Sequence, residues 1–241
     1  KNSLNIIALL LIALGAGGSA VLNMWQERFS DAQMHRTKNR PLPQGKIDSN
    51  EALIFGLMLS GASVFLMALL IGYLPAFLLG LTIYFYAYFY TTLLKPYSPQ
   101  NIIWGGIAGA LPPLIGWFCI TTSFSWFPLY LFGLIFLWTI PHFWALSLHL
   151  LDDYSAARLP MLPIVKGITY TKKKIFIYTL ITSLFAASPY IIQQKISFSL
   201  GLICLLGGRF IHLAYQVKDM QKSPLQLFKY SILYLFLLNL L

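Results

Sequence analysis

Residues 23–41 have the sequence Asn23-Met-Trp-Gln-Glu27-Arg-Phe-Ser-Asp31-Ala-Gln-Met-His-Arg36-Thr-Lys38-Asn-Arg40-Pro41 and directly follow a long apolar run. Because an α-helix turns about 100° per residue, Asn23, Glu27 and Asp31 fall on one helical stripe that is roughly 12 Å long. Carboxylate and amide oxygens arranged this way suit Mg²⁺, which leaves its other positions to water and phosphate. The stretch therefore predicts a membrane helix that carries a metal site at its end.

Three cations follow this acidic stripe within nine residues of its last member. Arg36, Lys38 and Arg40 are natural partners of phosphate oxygens, because their side chains donate charge-assisted hydrogen bonds. We interpret the segment as a metal and diphosphate site at a membrane surface. The alternative is a solvated loop whose basic residues only set the topology, which leaves the carboxylate spacing unexplained.

The rest of the chain predicts an all-α polytopic membrane protein. Of its 241 residues, 58% are hydrophobic and only 10% are charged. Apolar runs of about twenty residues, each long enough to cross ~30 Å of hydrocarbon, recur along the whole chain. We expect eight transmembrane helices, near residues 4–24, 52–72, 74–94, 101–121, 127–150, 174–192, 196–215 and 225–241. Such closely spaced spans predict a single transmembrane domain over residues 1–241.

The distribution of the net charge of +10 argues against a nucleic-acid partner and for a fixed topology. Thirteen of the seventeen Lys and Arg residues lie in alternate connections, at 25–50, 95–100, 151–174 and 216–224. The other connections hold only Lys195, and Lys1 marks the start. This is the pattern of positively charged cytoplasmic loops. The motif-bearing loops are therefore expected on the cytoplasmic face, or on the matrix face in a mitochondrion.

A second group of polar residues lies between residues 141 and 167. Asp152 and Asp153 could complete a second metal position, and the alternative for them is a water-exposed helix end. His142 falls within an apolar span, where an ionisable residue is a functional candidate by default. A neutral histidine that hydrogen-bonds a neighbouring helix is the alternative for His142.

A third segment combines one cation with several small residues. Lys95 lies at the cytoplasmic end of its predicted helix, where it can reach the interface or a phosphate. Gly105, Gly109 and Gly116 have the spacing that lets membrane helices approach closely, so a structural role is favoured for them.

Four motifs, in order along the chain, carry a resemblance to a known family. They are Asn23-x3-Glu27-x3-Asp31, Met34-x-Arg36-Thr37-x-x-Arg40-Pro41, Lys95-x-x-x-Pro99-Gln-Asn101-Ile, and Pro141-His-Phe-Trp with Asp153-Tyr-x-x-Ala-x-x-Pro160-Met-Leu-Pro163. The chain resembles, over nearly its whole length, the protoheme IX farnesyltransferase (heme O synthase) branch of the UbiA-like intramembrane prenyltransferases. The resemblance implies a bundle of nine transmembrane helices around a cavity open to the lipid. Since eight are visible here, the family's first helix is expected to be missing.

The resemblance also implies a reaction and a location. A farnesyl group would pass from farnesyl diphosphate to a vinyl group of heme b, giving heme O for heme–copper oxidases. Mg²⁺ would be the cofactor, the bilayer would supply the surroundings, and heme A synthase or oxidase-assembly proteins would be partners. The bacterial inner membrane is expected, with the mitochondrial inner membrane as the alternative. Other acceptors (a quinone precursor or chlorophyllide) and a heme-handling transporter or assembly factor stay open as alternatives.

The expected site residues follow from the motifs and the resemblance together. The catalytic and metal-binding candidates are Asn23, Glu27, Asp31 and Asp153, with Asp152 as a further metal ligand. The diphosphate-binding candidates are Arg36, Lys38, Arg40, Lys95 and Lys166, and the heme-binding candidates are His142 and Tyr154. Aromatic walls for an allylic cation are expected from Tyr84, Tyr86, Tyr88, Phe89 and the segment 138–144.

The chain departs from the family pattern at three positions. Glu27 stands where the family usually has Asp, which lengthens the reach of the carboxylate. Pro96 stands in place of Arg and removes one possible phosphate contact. Arg158 stands in place of Gly and could supply a nearby cation.

Overall fold

The structure is a computed structural model that describes residues 2–192, 198–219 and 221–240. Within these ranges every regular element is helical. The elements are α1 (Asn2–Asp31), α2 (Ser49–Leu70), α3 (Tyr73–Tyr84), the π-helix π1 (Phe85–Leu94), α4 (Asn101–Ala110), α5 (Pro112–Ile120), α6 (Trp126–His149), α7 (Leu151–Ala156), α8 (Leu162–Lys166), α9 (Ile168–Ile192), α10 (Phe198–Lys218) and α11 (Pro224–Leu238).

Seven helical segments in the described ranges are long and apolar enough to cross a membrane. The prediction of eight is wrong at the last span, because α11 has 15 residues and is only about 22 Å long. That is shorter than the ~30 Å of hydrocarbon in a typical bilayer. Ser223 caps the start of α11 by accepting from the backbone N–H of Leu225, and Pro224 takes its first position. Residues 196–197 and 241 of the predicted spans lie outside the described residues, as do Lys1 and Lys195.

Three predicted boundaries differ from those in the structure. Helix α1 runs on to Asp31 rather than ending at 24, so Asn23, Glu27 and Asp31 lie on one helix as predicted. The span 101–121 is divided into α4 and α5 at Pro112, because proline lacks the N–H that a continuous helix needs. Helix α9 begins at Ile168, which places Lys172, Lys173 and Lys174 inside it rather than in a loop.

The chain divides into two compact units, residues 1–132 with 152–160 and residues 133–151 with 161–241. The expectation of a single domain over residues 1–241 stays a prediction. In the first unit, α1 packs against α2, α3, π1 and α5. Small residues permit this close packing: a Cβ at Gly18 would lie 2.4 Å from Ser60 Oγ. The buried side chains at its centre are Leu11, Met67, Ala76, Leu79, Ile83 and Ile115.

In the second unit, α10 packs against both α9 and α11. Phe210, Ala214 and Val217 of α10 are fully buried, together with Leu227 and Tyr234 of α11. A polar cluster around Ser231 also lies in this unit.

Candidate active site

Each residue of the acidic stripe on α1 contacts a different side chain of the first unit. Asn23 Nδ2 donates to Thr91 Oγ1 at 3.1 Å, Glu27 forms an ion pair with Lys95, and Asp31 accepts from Arg40 Nη1 at 2.7 Å. All three stripe residues are buried, and Asp31 is only 1% exposed. The structure therefore brings the predicted acidic residues together with two of the predicted phosphate-binding cations.

The π-helix provides the partners of the first two stripe residues. Thr91 Oγ1 donates to the carbonyl of Tyr86 at 2.8 Å, and the N–H of Lys95 donates to the carbonyl of Tyr90 at 2.8 Å. The backbone bond from Lys95 to Tyr90 spans five residues, as π-helical geometry requires, and such segments occur frequently at functional sites. Since the hydroxyl proton of Thr91 is directed to Tyr86, its oxygen accepts from Asn23. The amide oxygen of Asn23 therefore points away from Thr91 and is left for another partner.

The segment between α1 and α2 is a series of hydrogen-bonded turns that holds its cations near the stripe. Met34 and Thr37 are buried, and Thr37 Oγ1 donates to the carbonyl of Asp31 at 3.0 Å. Asp153 on α7 accepts the backbone N–H groups of His35 at 3.0 Å and Arg36 at 3.2 Å. The carboxylate of the second acidic motif thus fastens the loop that follows the first.

Tyrosines complete the surroundings of the Glu27–Lys95 pair. Tyr154 is buried and interacts electrostatically with Lys95, Arg36 and Glu27. Burial raises the pKa of the Tyr154 phenol above its ordinary value of 10, so its hydroxyl keeps its proton at neutral pH. Tyr86 also interacts with the charges of Glu27 and Lys95, and its part in an aromatic wall stays a prediction.

The residues present fit a Mg²⁺ ion. Their oxygens are of the kind that Mg²⁺ prefers, and Asp31 Oδ1 is buried with no hydrogen-bond partner among the described residues. A buried acceptor in this state costs about 1–3 kcal/mol, which a bound cation would offset. Within the described ranges, no three His, Cys, Asp or Glu side chains are close enough to hold an ion by themselves. A bound diphosphate would therefore have to complete the coordination.

Several predicted site residues have exposed side chains or belong to the second unit. Asp152, Arg36 and Lys38 have exposed side chains, although the backbone of Arg36 is held by Asp153. Lys166 is exposed at the end of α8 and belongs to the second unit. Of the predicted aromatic residues, Tyr84 and Tyr88 are exposed and stack on each other with ring centres 5.5 Å apart.

His142 belongs to the second unit and is 6% exposed. Its Nδ1 lies 2.6 Å from Ser231 Oγ on α11. The rings of Trp138 and Phe228 stack against it, with centres 4.2 and 4.4 Å away. The histidine is thus hydrogen-bonded within the protein, and its assignment to heme stays a prediction, as does that of Tyr154.

Three residues of these clusters were not predicted from the sequence: Thr91, Tyr90 and Ser231. Thr91 and Lys95 repeat the four-residue spacing of Asn23 and Glu27, a signal that could have paired the two helices. No sequence signal pointed to Ser231, which lies 89 residues from His142.

Solved structures of low sequence identity share the fold. A structure of digeranylgeranylglyceryl phosphate synthase matches with a TM-score of 0.78 and 18% identity, covering 100% of this chain and 84% of its own. A UbiA homolog from Archaeoglobus fulgidus bound to DMAPP and Mg²⁺ matches with a TM-score of 0.64 and 16% identity, over 98% and 86% of the two chains. These matches confirm the all-α polytopic fold class.

Relatives of much higher identity have a consistent name. Protoheme IX farnesyltransferase 2 of Mesorhizobium japonicum is 46% identical over 239 residues, which cover 97% of this chain and 76% of the relative. Protoheme IX farnesyltransferase of Erythrobacter litoralis is 44% identical over 242 residues, with 98% and 79% covered. The prenyltransferase family model matches residues 2–240. The chain, a multi-pass membrane protein, thus belongs to the UbiA prenyltransferase family.

Proposed function

We propose that the protein transfers a farnesyl group from farnesyl diphosphate to a vinyl group of heme b, giving heme O and diphosphate. The observation that supports farnesyl diphosphate as the donor is the pairing of the buried carboxylates of Glu27 and Asp31 with Lys95 and Arg40. Carboxylates directly beside cations support a site for a metal ion and a diphosphate. The relatives with 44–46% identity, all named protoheme IX farnesyltransferase, support heme b as the acceptor.

The ion pairs support a way of holding a diphosphate. Glu27 and Asp31 would hold the metal ion, and Lys95 and Arg40, which pair with them here, would bind phosphate oxygens. Asn23 contributes its amide oxygen, and Asp153 retains lone pairs for a cation beyond its two backbone hydrogen bonds. Arg36, Lys38 and Lys166 are the further phosphate partners, and Asp152 is a further metal ligand.

The chemistry requires the bond between the farnesyl C1 and the diphosphate oxygen to break. A bound Mg²⁺ would stabilise the negative charge that develops on the departing diphosphate. Lys95 and Arg40 add to this stabilisation from their positions in the cluster. The ring of Tyr86 offers a face to the allylic cation and helps to exclude water. C1 then bonds to the terminal carbon of a vinyl group of heme b, water adds to the neighbouring vinyl carbon as the hydroxyl group of heme O, and diphosphate takes up the proton that is released.

The acceptor residues and the location complete the proposal. Tyr154, protonated and buried beside Lys95, can donate a hydrogen bond, and His142 is the candidate contact with heme. The site faces the cytoplasm at a bacterial inner membrane, since the Lys- and Arg-rich connections lie on its side of the membrane. Heme A synthase or an oxidase-assembly protein would then receive the product.

The test is a reconstitution of the full chain in lipid nanodiscs with heme b, farnesyl diphosphate and Mg²⁺. Mass analysis of the extracted hemes is expected to show heme O, and no product should form in EDTA. Asp31→Asn serves as the inactive control, because it removes an anionic oxygen from the acidic stripe. Prenylation of a quinone precursor with no heme product would contradict the proposed acceptor.

A further inference from the structure

The hydroxyl of Ser231 donates its hydrogen bond to the backbone of its own helix. Ser231 Oγ lies 2.6 Å from the carbonyl oxygen of Phe228, which can only accept a hydrogen bond. The hydroxyl proton therefore points at Phe228. Toward any other neighbour, Ser231 Oγ can act only as an acceptor.

The hydrogen bond from Ser231 to Phe228 determines which nitrogen of His142 carries the proton. Nδ1 lies 2.6 Å from Ser231 Oγ, and two acceptors would repel each other at that distance. Nδ1 must therefore carry the hydrogen and donate it. In the neutral imidazole, Nε2 then carries a free lone pair, and no hydrogen bond to Nε2 is present in the described part of the chain.

The ring of His142 is also prevented from turning. Trp138 and Phe228 stack on its two sides at interplanar angles of 22° and 24°. Trp138 Nε1 donates to the carbonyl of Ser231 at 2.7 Å, which fixes α6 against α11 at the same residue. The orientation of Nε2 is thus set by packing and by two hydrogen bonds.

We propose that His142 Nε2 is an axial ligand to the iron of the heme acceptor, and that Ser231 is the positioning residue that selects this tautomer. The inference rests on the proposed function, since it names the contact with that acceptor. Histidines that bind metals typically donate their other N–H to a fixed oxygen, as Nδ1 does here. A heme propionate would instead need an N–H at Nε2, and the extra charge is costly within a membrane span.

The experiment measures heme binding by the full chain in nanodiscs. Soret titrations and the iron–histidine stretch in resonance Raman spectra of ferrous heme report ligation. Wild type is expected to show this stretch, and His142→Ala to lose it and regain a ligated spectrum on addition of imidazole. Ser231→Ala should weaken heme binding by roughly tenfold, as loss of such outer hydrogen bonds does. Ser231→Thr, which keeps a hydroxyl, should restore it.

Two controls separate this role from a structural one. Ser183→Ala removes another buried hydroxyl of the second unit, one that has no hydrogen-bond partner among the described residues, and should leave heme binding unchanged. Iron-free protoporphyrin IX should bind wild type and His142→Ala equally, because His142 is proposed to bind only the iron. A difference that persists with the iron-free porphyrin would show propionate pairing and overturn the proposal.

The outcomes also separate this inference from the proposed function. If heme O forms and His142→Ala keeps both the iron–histidine stretch and wild-type affinity, the ligand assignment fails while the function stands. If Ser231→Ala binds heme like wild type, the positioning role fails. If wild type neither binds heme nor forms heme O, the proposed function itself fails.

Discussion

At the scale of single residues, Arg158 occupies a backbone conformation that favours glycine. Its φ of +53° is the only positive value found for a non-glycine residue in the described ranges. It follows α7, where the N–H of Leu159 donates to the carbonyl of Tyr154 at 3.0 Å in a typical helix-ending motif. The conformation at Arg158 is therefore a local strain that glycine would relieve.

We predict that Arg158→Gly stabilises the protein by up to about 1 kcal/mol. Removing the Cβ relieves the left-handed strain, and the greater freedom of glycine in the unfolded chain offsets part of the gain. Thermal unfolding followed by circular dichroism measures the effect. Arg158→Ala, which removes the charge but keeps the Cβ, should give no gain. An equal gain from Arg158→Ala would show that charge, not the backbone, is responsible.

The Glu27–Lys95 pair leads to a second prediction at this scale. Lys95→Met leaves a buried carboxylate without its partner and should destabilise the protein by about 3 kcal/mol. Glu27→Gln combined with Lys95→Met should recover most of that loss, since neither side chain is then charged. Farnesyl transfer should stay lost in both variants, because both groups are proposed to bind metal–diphosphate. A double variant with near-normal turnover would contradict the proposed site.

At the scale of elements, the π-helix depends on a glycine of its neighbour α4. A Cβ at Gly105 would lie 2.5 Å from Cε2 of Tyr90, whereas one at Gly109 would meet nothing within 4 Å. We predict that Gly105→Ala costs 1–3 kcal/mol, roughly the usual penalty of overpacking, and lowers farnesyl transfer by displacing π1. Gly109→Ala, in the same helix, should be neutral in both assays. Equal behaviour of the two variants would argue against tight packing at Tyr90.

The loop between α1 and α2 depends on α7 through Asp153. We predict that Asp153→Ala speeds hydrogen exchange at the amides of His35 and Arg36 by about tenfold or more, since bonds to a carboxylate contribute about 1.5–3 kcal/mol. Exchange is measured by mass spectrometry without metal or substrate. Asp152→Ala is the control, because its side chain is exposed. Unchanged exchange in Asp153→Ala would mean that Asp153 does not fasten the loop.

Sequence patterns predicted elements better than they predicted element ends. Apolar run length located the helices, because crossing hydrocarbon requires about twenty apolar residues. The apolar run alone put the end of the first span near residue 24, whereas α1 continues through polar residues to Asp31, as the stripe requires, and π1 packs against it. No amino-acid pattern in residues 85–94 distinguishes a π-helix from an α-helix, so the sequence did not indicate π1.

At the scale of the whole molecule, the charge distribution predicts the topology. Lys38→Cys should resist labelling by a membrane-impermeant maleimide in intact cells, because the loop between α1 and α2 is predicted to be cytoplasmic. Thr122→Cys, between α5 and α6, should label readily. Cys119 and Cys204 must first be replaced, since both are free thiols. Efficient external labelling at position 38 would overturn the topology and the proposed cytoplasmic site.

The sequence by itself determined the membrane class, the approximate positions of seven spans and the acidic stripe on α1. These properties depend on composition and on spacing along one helix, which are local. The motifs also indicated the family, which the family model and the relatives confirm.

Only the tertiary structure decided which residues face each other. The partners of the acidic stripe are Thr91, Lys95 and Arg40. Asp153 accepts hydrogen bonds from two backbone amides, and Ser231 is hydrogen-bonded to His142. Asn23 and Thr91 are 68 residues apart, and Asp153 and His35 are 118 apart. Such contacts depend on how helices pack and in what register, and a pattern confined to one helix contains no information about its neighbour.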